Sequence, residues 1–483
     1  MSKFNIKKKA KNLDIHNLNA VYFIGIGGIG VSALAFWCIK KNIKVYGFDR
    51  KKTDITNQIE SKGGRVFYDY DAVSQKKKID CQHQQVLNLV IEDNQSIVVF
   101  SSAIKTIHPI RKFFDFNKVL SIKRAEFLGL ISAQYDVVAI AGTHGKTTIS
   151  TMLTHILKVG GIDCSAFLGG VSKNYNSNFI LGSSNIMVVE ADEYDKSFFY
   201  LKPKVILISA LDRDHSDTYP TFLQMQNAYA HFISNSQPQL SKLILKESLP
   251  FKFLDKSAIS DYSLSRLADY SLDFKKNKEG GLSLTFLEKN KKTKEYQALK
   301  NFNIALCPKH NLENFLAAST IALYLGVGID YIAKGITSFL GIKRRFEYHI
   351  NTTNQIFIED YAHHPKEIDA LITSLRLMYA SKKITMIFQP HLFSRTKDFL
   401  NEFAISLSRV DTLILLDIYP ARELPIKGFS IEKLFELINL EDKMLVSNNK
   451  LLPLIFKLKP KLLVSVGAGN ITTFSEQLKD ALR

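Results

Sequence analysis

Short apolar runs followed by stretches with helical apolar spacing recur along most of the chain. Residues 21–25 are such a run, 29–41 suit a buried helix, and 43–49 are strand-like again, which predicts a strand, turn, helix, strand unit. Further strands are expected at 97–101, 137–141, 186–190 and 205–210, and after Gly341 at 356–359, 384–388, 413–417 and 462–466. Strands alternating with helices predict parallel sheets covered by helices, an α/β chain. The rhythm breaks twice. Residues 76–94 are lysine-rich and polar and suggest a solvated insertion, while 242–300 alternate at short range and suggest an antiparallel excursion in the middle of the chain. Boundaries between the expected helix at 124–131 and the strand at 137, and near 340, give three domains: 1–132, 133–340 and 341–483.

Composition fits that picture. A chain of 483 residues, 46% hydrophobic and 23% charged, has enough apolar material for several cores and is neither disordered nor a disulfide scaffold. The net charge of +18 invites a nucleic-acid reading, but 51 of the 64 basic residues are Lys and only 13 are Arg, so no nucleic-acid partner is expected. Splitting the charge at 130 and 340 gives +11, +3 and +4, so the excess lies in the first domain. Cys38, Cys81, Cys164 and Cys307 stand singly and read as reduced thiols of a cytoplasmic chain. Residues 21–39 carry no charge and follow Lys7, Lys8 and Lys9, as a signal or membrane segment would. Four glycines at 25, 27, 28 and 30 argue instead for a phosphate-binding turn, so no membrane insertion is expected.

Three motifs carry chemistry. Gly25, Gly27, Gly28 and Gly30 follow a strand and open a helix, and Asp49 ends the next strand, 24 residues after Gly25. Such glycines let backbone N–H groups approach a pyrophosphate, and a carboxylate at that distance can bond a ribose hydroxyl; the nucleotide stays open between NAD, FAD and a nucleotide diphosphate. The second motif, Gly142-Thr143-His144-Gly145-Lys146-Thr147-Thr148, runs from a strand into a helix. It is a shortened phosphate loop, with Lys146 for phosphate oxygens and the Thr147 hydroxyl for Mg²⁺. The third is acidic: Glu190, Asp192, Glu193 and Asp195 fall within six residues, four carboxylates that suit a shared Mg²⁺. Asp212, Asp214 and His215 end another strand, and a hydrolytic zinc centre is the competing metal reading.

The chain resembles the Mur ligase family, ATP-dependent amide-forming enzymes of peptidoglycan precursor synthesis. The resemblance rests on GIGGIG at 25–30, SSAI at 101–104, GTHGKTT at 142–148, EADEYD at 190–195 and DRDHSDTY at 212–219, then HNLEN at 310–314, RRF at 344–346, DYAHHP at 360–365 and FQPHLFSRT at 388–396. It implies an N-terminal Rossmann-like UDP-binding domain, a central P-loop ATPase-like domain and a C-terminal Rossmann-like domain. It further implies ATP and Mg²⁺ as cofactors, UDP-N-acetylmuramate and L-alanine as substrates, an acyl phosphate intermediate, and a monomer or homodimer. Residue by residue, Gly25, Gly27, Gly28, Gly30, Asp49, Ser101 and Ser102 match the UDP-sugar region. Gly142, Thr143, His144, Gly145, Lys146, Thr147, Thr148, His310, Asn311, Asn314, Arg345 and Asp360 match ATP-contacting positions. Thr147, Glu190 and His215 match the metal-associated positions, Lys146 and His215 are the catalytic candidates, with His215 open between base and ligand, and Tyr361, His363 and Arg395 match positions near the incoming amino acid. Leu392 departs from the family pattern, where an Arg often follows the QPH, and this leaves Arg395 as the main guanidinium for the amino-acid carboxylate.

Overall fold

The computed structural model describes residues 13–68, 81–215, 218–251, 259–421 and 423–483. Two compact units result, one of residues 1–262 with 317–335 and the other of 263–316 with 336–483.

The first unit carries two sheets. In the first, β1 (Ala20–Ile24), β2 (Lys44–Phe48), β3 (Arg65–Phe67), β4 (Ser96–Phe100) and β5 (Ser121–Lys123) lie in the order β3-β2-β1-β4-β5, all parallel. All five residues of β1 are buried because helices cover both faces, which is why it reads as an unbroken apolar run rather than an alternating one. Helix α1 (Ile29–Lys40) follows the glycines and buries Val31 through Cys38 almost without a break. That explains a nineteen-residue uncharged stretch in a packed domain: the helix is apolar all round because it is enclosed all round. Among the described residues no helix is long and apolar enough to cross a membrane.

The expected insertion at 76–94 is corrected in part. Residues 76–80 lie outside the described residues, but Cys81–Glu92 is a helix that buries Val86, Leu87 and Val90 in the core beneath this sheet, and His83 Nε2 meets the buried Tyr22 hydroxyl at 2.6 Å. Its polar composition hid three core positions at helical spacing.

In the second sheet of this unit β6 (Asp136–Ala141), β7 (Ser165–Ser172), β8 (Ser177–Ile180), β9 (Ile186–Glu190), β10 (Val205–Ile208), β11 (Lys242–Lys246) and β12 (Ile259–Ser263) run in the order β12-β11-β10-β6-β9-β7-β8. Only the β7–β8 pair is antiparallel. Because β10, β6 and β9 are parallel neighbours, the loops that leave their C-terminal ends fall side by side, the usual place for a ligand in an open α/β sheet.

The second unit contains an antiparallel ribbon of β13 (Tyr270–Lys276), β14 (Leu282–Lys289) and β15 (Tyr296–Ile304). The antiparallel excursion thus begins only at β13, since β11 and β12 pair in parallel. The unit's other sheet, of β16 (Glu347–Asn351), β17 (Ile356–Asp360), β18 (Thr385–Phe388), β19 (Thr412–Leu415), β20 (Lys443–Leu445) and β21 (Leu462–Val466), has the order β16-β17-β21-β18-β19-β20. It is parallel except for the β16 edge and packs a separate apolar cluster on each face. Here β17, β21 and β18 are neighbours, so a second row of loops converges.

Of the cysteines, Cys38 and Cys164 are buried, Cys307 is half-buried and Cys81 is exposed. Burial pushes the Cys38 thiol well up and those of Cys164 and Cys307 up to about 12.

Candidate active site

The phosphate loop forms where β6 ends. Gly142 sits at φ +125°, and a Cβ there would lie 2.3 Å from Ser209 Oγ and 2.8 Å from the Ala210 nitrogen, so only glycine lets the loop turn tightly against the end of β10. Thr143 N–H donates to the Ala210 carbonyl at 3.1 Å, and its hydroxyl accepts from Asp212 N–H at 3.1 Å. Ser209 donates to the His144 carbonyl, and His144 Nε2 is 3.2 Å from Asp212. Gly145, at φ +82°, caps helix α2 (Lys146–Val159), whose N-terminal amides and positive dipole end suit an anion. Thr147 is buried in its first turn.

Lys146 Nζ donates to the Gly142 carbonyl at 2.7 Å and to both oxygens of Glu193 at 2.9 and 2.8 Å. Glu193 is wholly buried. Burial opposes charge on both groups, yet their proximity wins: the Lys146 ammonium is held above its ordinary value, and the Glu193 carboxyl is held below its own. His215, at φ +52°, places Nε2 3.6 Å from Glu193 and 3.8 Å from Asp214. Burial disfavours its charge, but those two carboxylates raise its pKa overall.

The four carboxylates at 190–195 are sent to four different protein partners. Glu190 accepts from Gly169 N–H at 3.0 Å, Asp192 faces Arg124 at 3.6 Å, Glu193 takes Lys146, and Asp195 takes Lys123 and the Ser102 hydroxyl, both at 2.6 Å. A Cβ at Gly169 would lie 2.2 Å from Glu190 Oε2, so a side chain there would push this carboxylate from its place. Among the described residues, the trio of His, Cys, Asp or Glu with metal-ligand proximity is Glu347, His349 and Glu359, in the second unit.

The first glycine loop adjoins this acidic run. Gly25 and Ile26 donate to the Phe48 carbonyl, and Gly25 takes φ +82° beside Ser101 and Ile104. Asp49 spends one oxygen on Gly27 N–H at 2.8 Å and the other on Arg50 N–H at 2.7 Å, so it first of all orders the loop. A cavity of about 480 Å³ is lined by Ser102, Lys105, Arg111, Lys123, Tyr194 and Asp195, among others.

The first two turns of helix α3 (Lys309–Tyr324), which fall in the second unit, carry His310 and Asn311, and Asn314 donates to the Asn311 side chain at 3.3 Å. Burial, with Arg345 adding to it and Glu367 opposing, pushes the His310 pKa down to about 4, and its Nδ1 is buried without a hydrogen-bond partner. Asp360, at the end of β17, accepts from Phe346 N–H and Ala362 N–H, both at 2.8 Å. Burial outweighs Arg345 and the two N–H groups and lifts its carboxyl to about 6. Arg344 and Arg345 each place Cζ over the Tyr361 ring, 4.7 Å from its centre. Its ring is 5.3 Å from that of His363, which is 6.2 Å from that of His391. Arg395 is 7% exposed with Nη1 3.5 Å from His391 Nδ1. Leu392 is buried at φ +74° and donates its N–H to the Tyr419 carbonyl, so it offers nothing polar to a ligand. His364 caps helix α4 (Pro365–Met378), exchanging hydrogen bonds with its first turn.

Three family profiles tile the chain: the Mur ligase family catalytic domain over 20–136, the Mur ligase middle domain over 140–322, and the Mur ligase glutamate ligase domain over 344–448. The UDP-N-acetylmuramate–L-alanine ligase of Cytophaga hutchinsonii is 36% identical over 472 residues, 97% of either chain. The chain belongs to the Mur ligase family. A Mur ligase fold also relates it to a UDP-N-acetylmuramate-alanine ligase structure from Thermotoga maritima, at TM-score 0.76 and 21% identity, covering 95% of this chain and 98% of that one. A Thermotoga maritima MurF ligase in complex with ADP matches at TM-score 0.59 and 15% identity, over 83% and 92% of the two chains.

As a Mur ligase, the chain brings its motifs together in two groups. The 142–148 loop, Glu193 and His215 meet in the first unit, where Ser102 joins the glycine-loop region to Asp195. His310, Arg345, Asp360, Tyr361, His363 and Arg395 belong to the second. Sequence reading missed Glu193 as the Lys146 partner, Ser209, the cavity cations Lys105, Arg111 and Lys123, and Arg344, Gln389 and the 467–470 turn. Gln389 Oε1 accepts from Ile471 N–H at 3.0 Å, and its amide donates to Asn470 at 2.9 Å. A glycine, alanine, glycine, asparagine run directly after an apolar strand was the available signal for that turn.

Proposed function

We propose that this Mur ligase joins L-alanine to the lactyl carboxylate of UDP-N-acetylmuramate, with ATP converted to ADP and phosphate. The amino acid and the sugar nucleotide come from the names of relatives matched end to end, and the observation that carries the ATP half is the Lys146–Glu193 pair at the mouth of a glycine-turned loop. A free carboxylate is a poor acyl donor. Its oxygen attacks the γ-phosphorus of ATP, the bond to the ADP oxygen breaks, and an acyl phosphate forms; the alanine amine then adds to the acyl carbon, loses a proton and expels phosphate.

Lys146, kept charged by Glu193, faces the phosphoryl oxygens as negative charge spreads over them, while the α2 N-terminus and loop amides orient the phosphates. Thr147, Glu190 and His215 supply a hydroxyl, a carboxylate and an imidazole, a donor set that fits Mg²⁺. Bound there, Mg²⁺ would neutralise phosphate charge. Gly25, Gly27, Gly28, Gly30, Asp49, Ser101 and Ser102 hold the UDP-sugar; His310, with its unpartnered buried Nδ1, sits with Asn311 and Asn314 toward adenine; Arg345 and Asp360 complete the ATP contacts. Tyr361, His363 and Arg395 receive alanine. On this reading residues 1–132, 133–340 and 341–483 serve the UDP-sugar, ATP and the amino acid, and the enzyme works in the cytoplasm, where those substrates are made.

The test is phosphate release with each substrate omitted in turn. Release that requires both UDP-N-acetylmuramate and L-alanine, with a product heavier than the sugar nucleotide by one alanyl residue, supports the proposal. Release with a murein tripeptide in place of alanine, or with neither acceptor, sinks it.

A further inference from the structure

Tyr361 has a part in the proposed reaction, but the buried charge two residues before it, which Arg344 links to its ring, has none. Glu359 is 3% exposed on β17, a costly place for a carboxylate without partners. Its Oε2 accepts from His349 Nε2 and from the Ser475 hydroxyl, each at 2.8 Å, and its Oε1 faces Arg344 Nε at 3.4 Å. Since a carboxylate only accepts, the His349 proton lies on Nε2.

His349 reaches Glu359 through an irregularity in the sheet. Tyr348 pairs with Ile358 and Ile350 with Phe357, so His349 is the extra residue of a β-bulge, and its ring stacks on Phe357 at 4.9 Å. Bulges re-aim side chains, and this one points an imidazole at a buried anion. The far side of the network is the Arg344 guanidinium. Its Nη2 donates to the Gly467 and Gly469 carbonyls at 3.2 and 3.3 Å, which together with Glu359 fixes it across the Tyr361 ring.

Glu347, His349 and Glu359 also have ligand atoms within 4.8 Å of one another. A metal ion would have to displace cationic and N–H partners already in place, because Arg344 faces Glu359 with its side chain and donates its backbone N–H to Glu347 at 2.8 Å.

We infer that Glu359, steadied by His349, is a positioning residue that locks Arg344 against Tyr361 and so fixes the ring that meets the incoming amino acid. The inference rests on the reading of Tyr361 given above. Glu359→Gln keeps the size and removes the charge; it should raise KM for L-alanine about 10-fold while kcat changes less than about 3-fold, and Glu359→Asp should recover part of the loss. In a Tyr361→Ala background the same change should add less than about 2-fold, because its route is already gone. Multiplying effects, or a loss confined to kcat, would overturn the inference.

A readout that needs no substrate separates this from the reaction assignment. In protein labelled with ¹⁵N-arginine, the Arg344 Nε–H signal, assigned with Arg344→Lys, should shift when the charge 3.4 Å away is removed in Glu359→Gln. If alanine-dependent turnover is absent but this signal behaves as stated, the reaction assignment fails and the lock stands; an unaltered signal removes the lock. Tight Zn²⁺ binding to the full chain, abolished by His349→Ala, would also overturn it by making the trio a metal site.

Discussion

The loops after β6, β9 and β10 and those after β17, β18 and β21 occupy the same place in two parallel sheets, yet they are held by different means. In the first, side chains answer one another: Lys146 against Glu193, Glu193 against His215, His144 against Asp212, Asp195 against Lys123. In the second, backbone groups do most of the holding. Phe346 and Ala362 N–H groups fix Asp360, the Gly467 and Gly469 carbonyls hold Arg344 beside the buried charge of Glu359, and Ile471 N–H fixes Gln389. A region balanced by buried charges should fail abruptly when one is removed. A region braced by backbone should lose affinity for what it touches and little else.

Lys146 tests the first half of the contrast most severely. Lys146→Ala should lower kcat by about 10³-fold or more, the scale set by losing one charged partner of a transition state, and leave UDP-sugar binding intact. It should also destabilise the fold by about 3–5 kcal/mol, because buried Glu193 is left with His215, 3.6 Å away, in place of its ammonium partner. Adding Glu193→Gln should restore the melting temperature without restoring turnover. A double variant as unstable as the single one would show that the pair is not the charge balance of this region.

His310 gives the next effect, in pH rather than rate. Its pKa is about 4 in the folded chain against about 6.5 unfolded, so the folded state binds fewer protons in that interval. The stability it contributes is therefore complete above pH 6.5 and is lost as the pH falls through 4, by about 3 kcal/mol. His310→Gln should flatten denaturant-measured stability across this window. An unchanged slope would mean the imidazole is solvated and charged at acid pH.

Arg395 should show the mildest response. Arg395→Ala removes one charge-assisted contact worth about 1.5–3 kcal/mol, so KM for alanine should rise about 10-fold with ATP and UDP-sugar parameters nearly unmoved. Loss of ATP or UDP-sugar binding at unchanged alanine KM would take this loop away from the amino acid and blur the contrast between the regions.

That contrast also marks what could be read from the chain. The phosphate loop, the acidic runs and the strands that present them are contiguous, so their spacing carried the chemistry, and strand ends came within about two residues because parallel strands are continuous apolar runs. The pairing of Lys146 with Glu193 was not legible: four carboxylates within six residues look alike until the fold sends each to a different partner. Glu359 and His349 were hidden for a related reason. A bulge shifts the alternation by one residue, so nothing in the pattern says that His349 and Glu359 share a face. The helix at Cys81–Glu92 was masked by its own composition, with Gln and Asn outside and Val and Leu inside.

The distribution of thiols has a practical side. With pKa values near 12, Cys164 and Cys307 hold about one thiolate in 10⁵ at pH 7, and Cys38 is still further from ionising. Cys81 alone is exposed, at the start of a helix on the first sheet. A maleimide dye added at neutral pH would settle on that one position without any cysteine being engineered away, and the native chain would then carry its own reporter for watching the first unit respond to a sugar nucleotide.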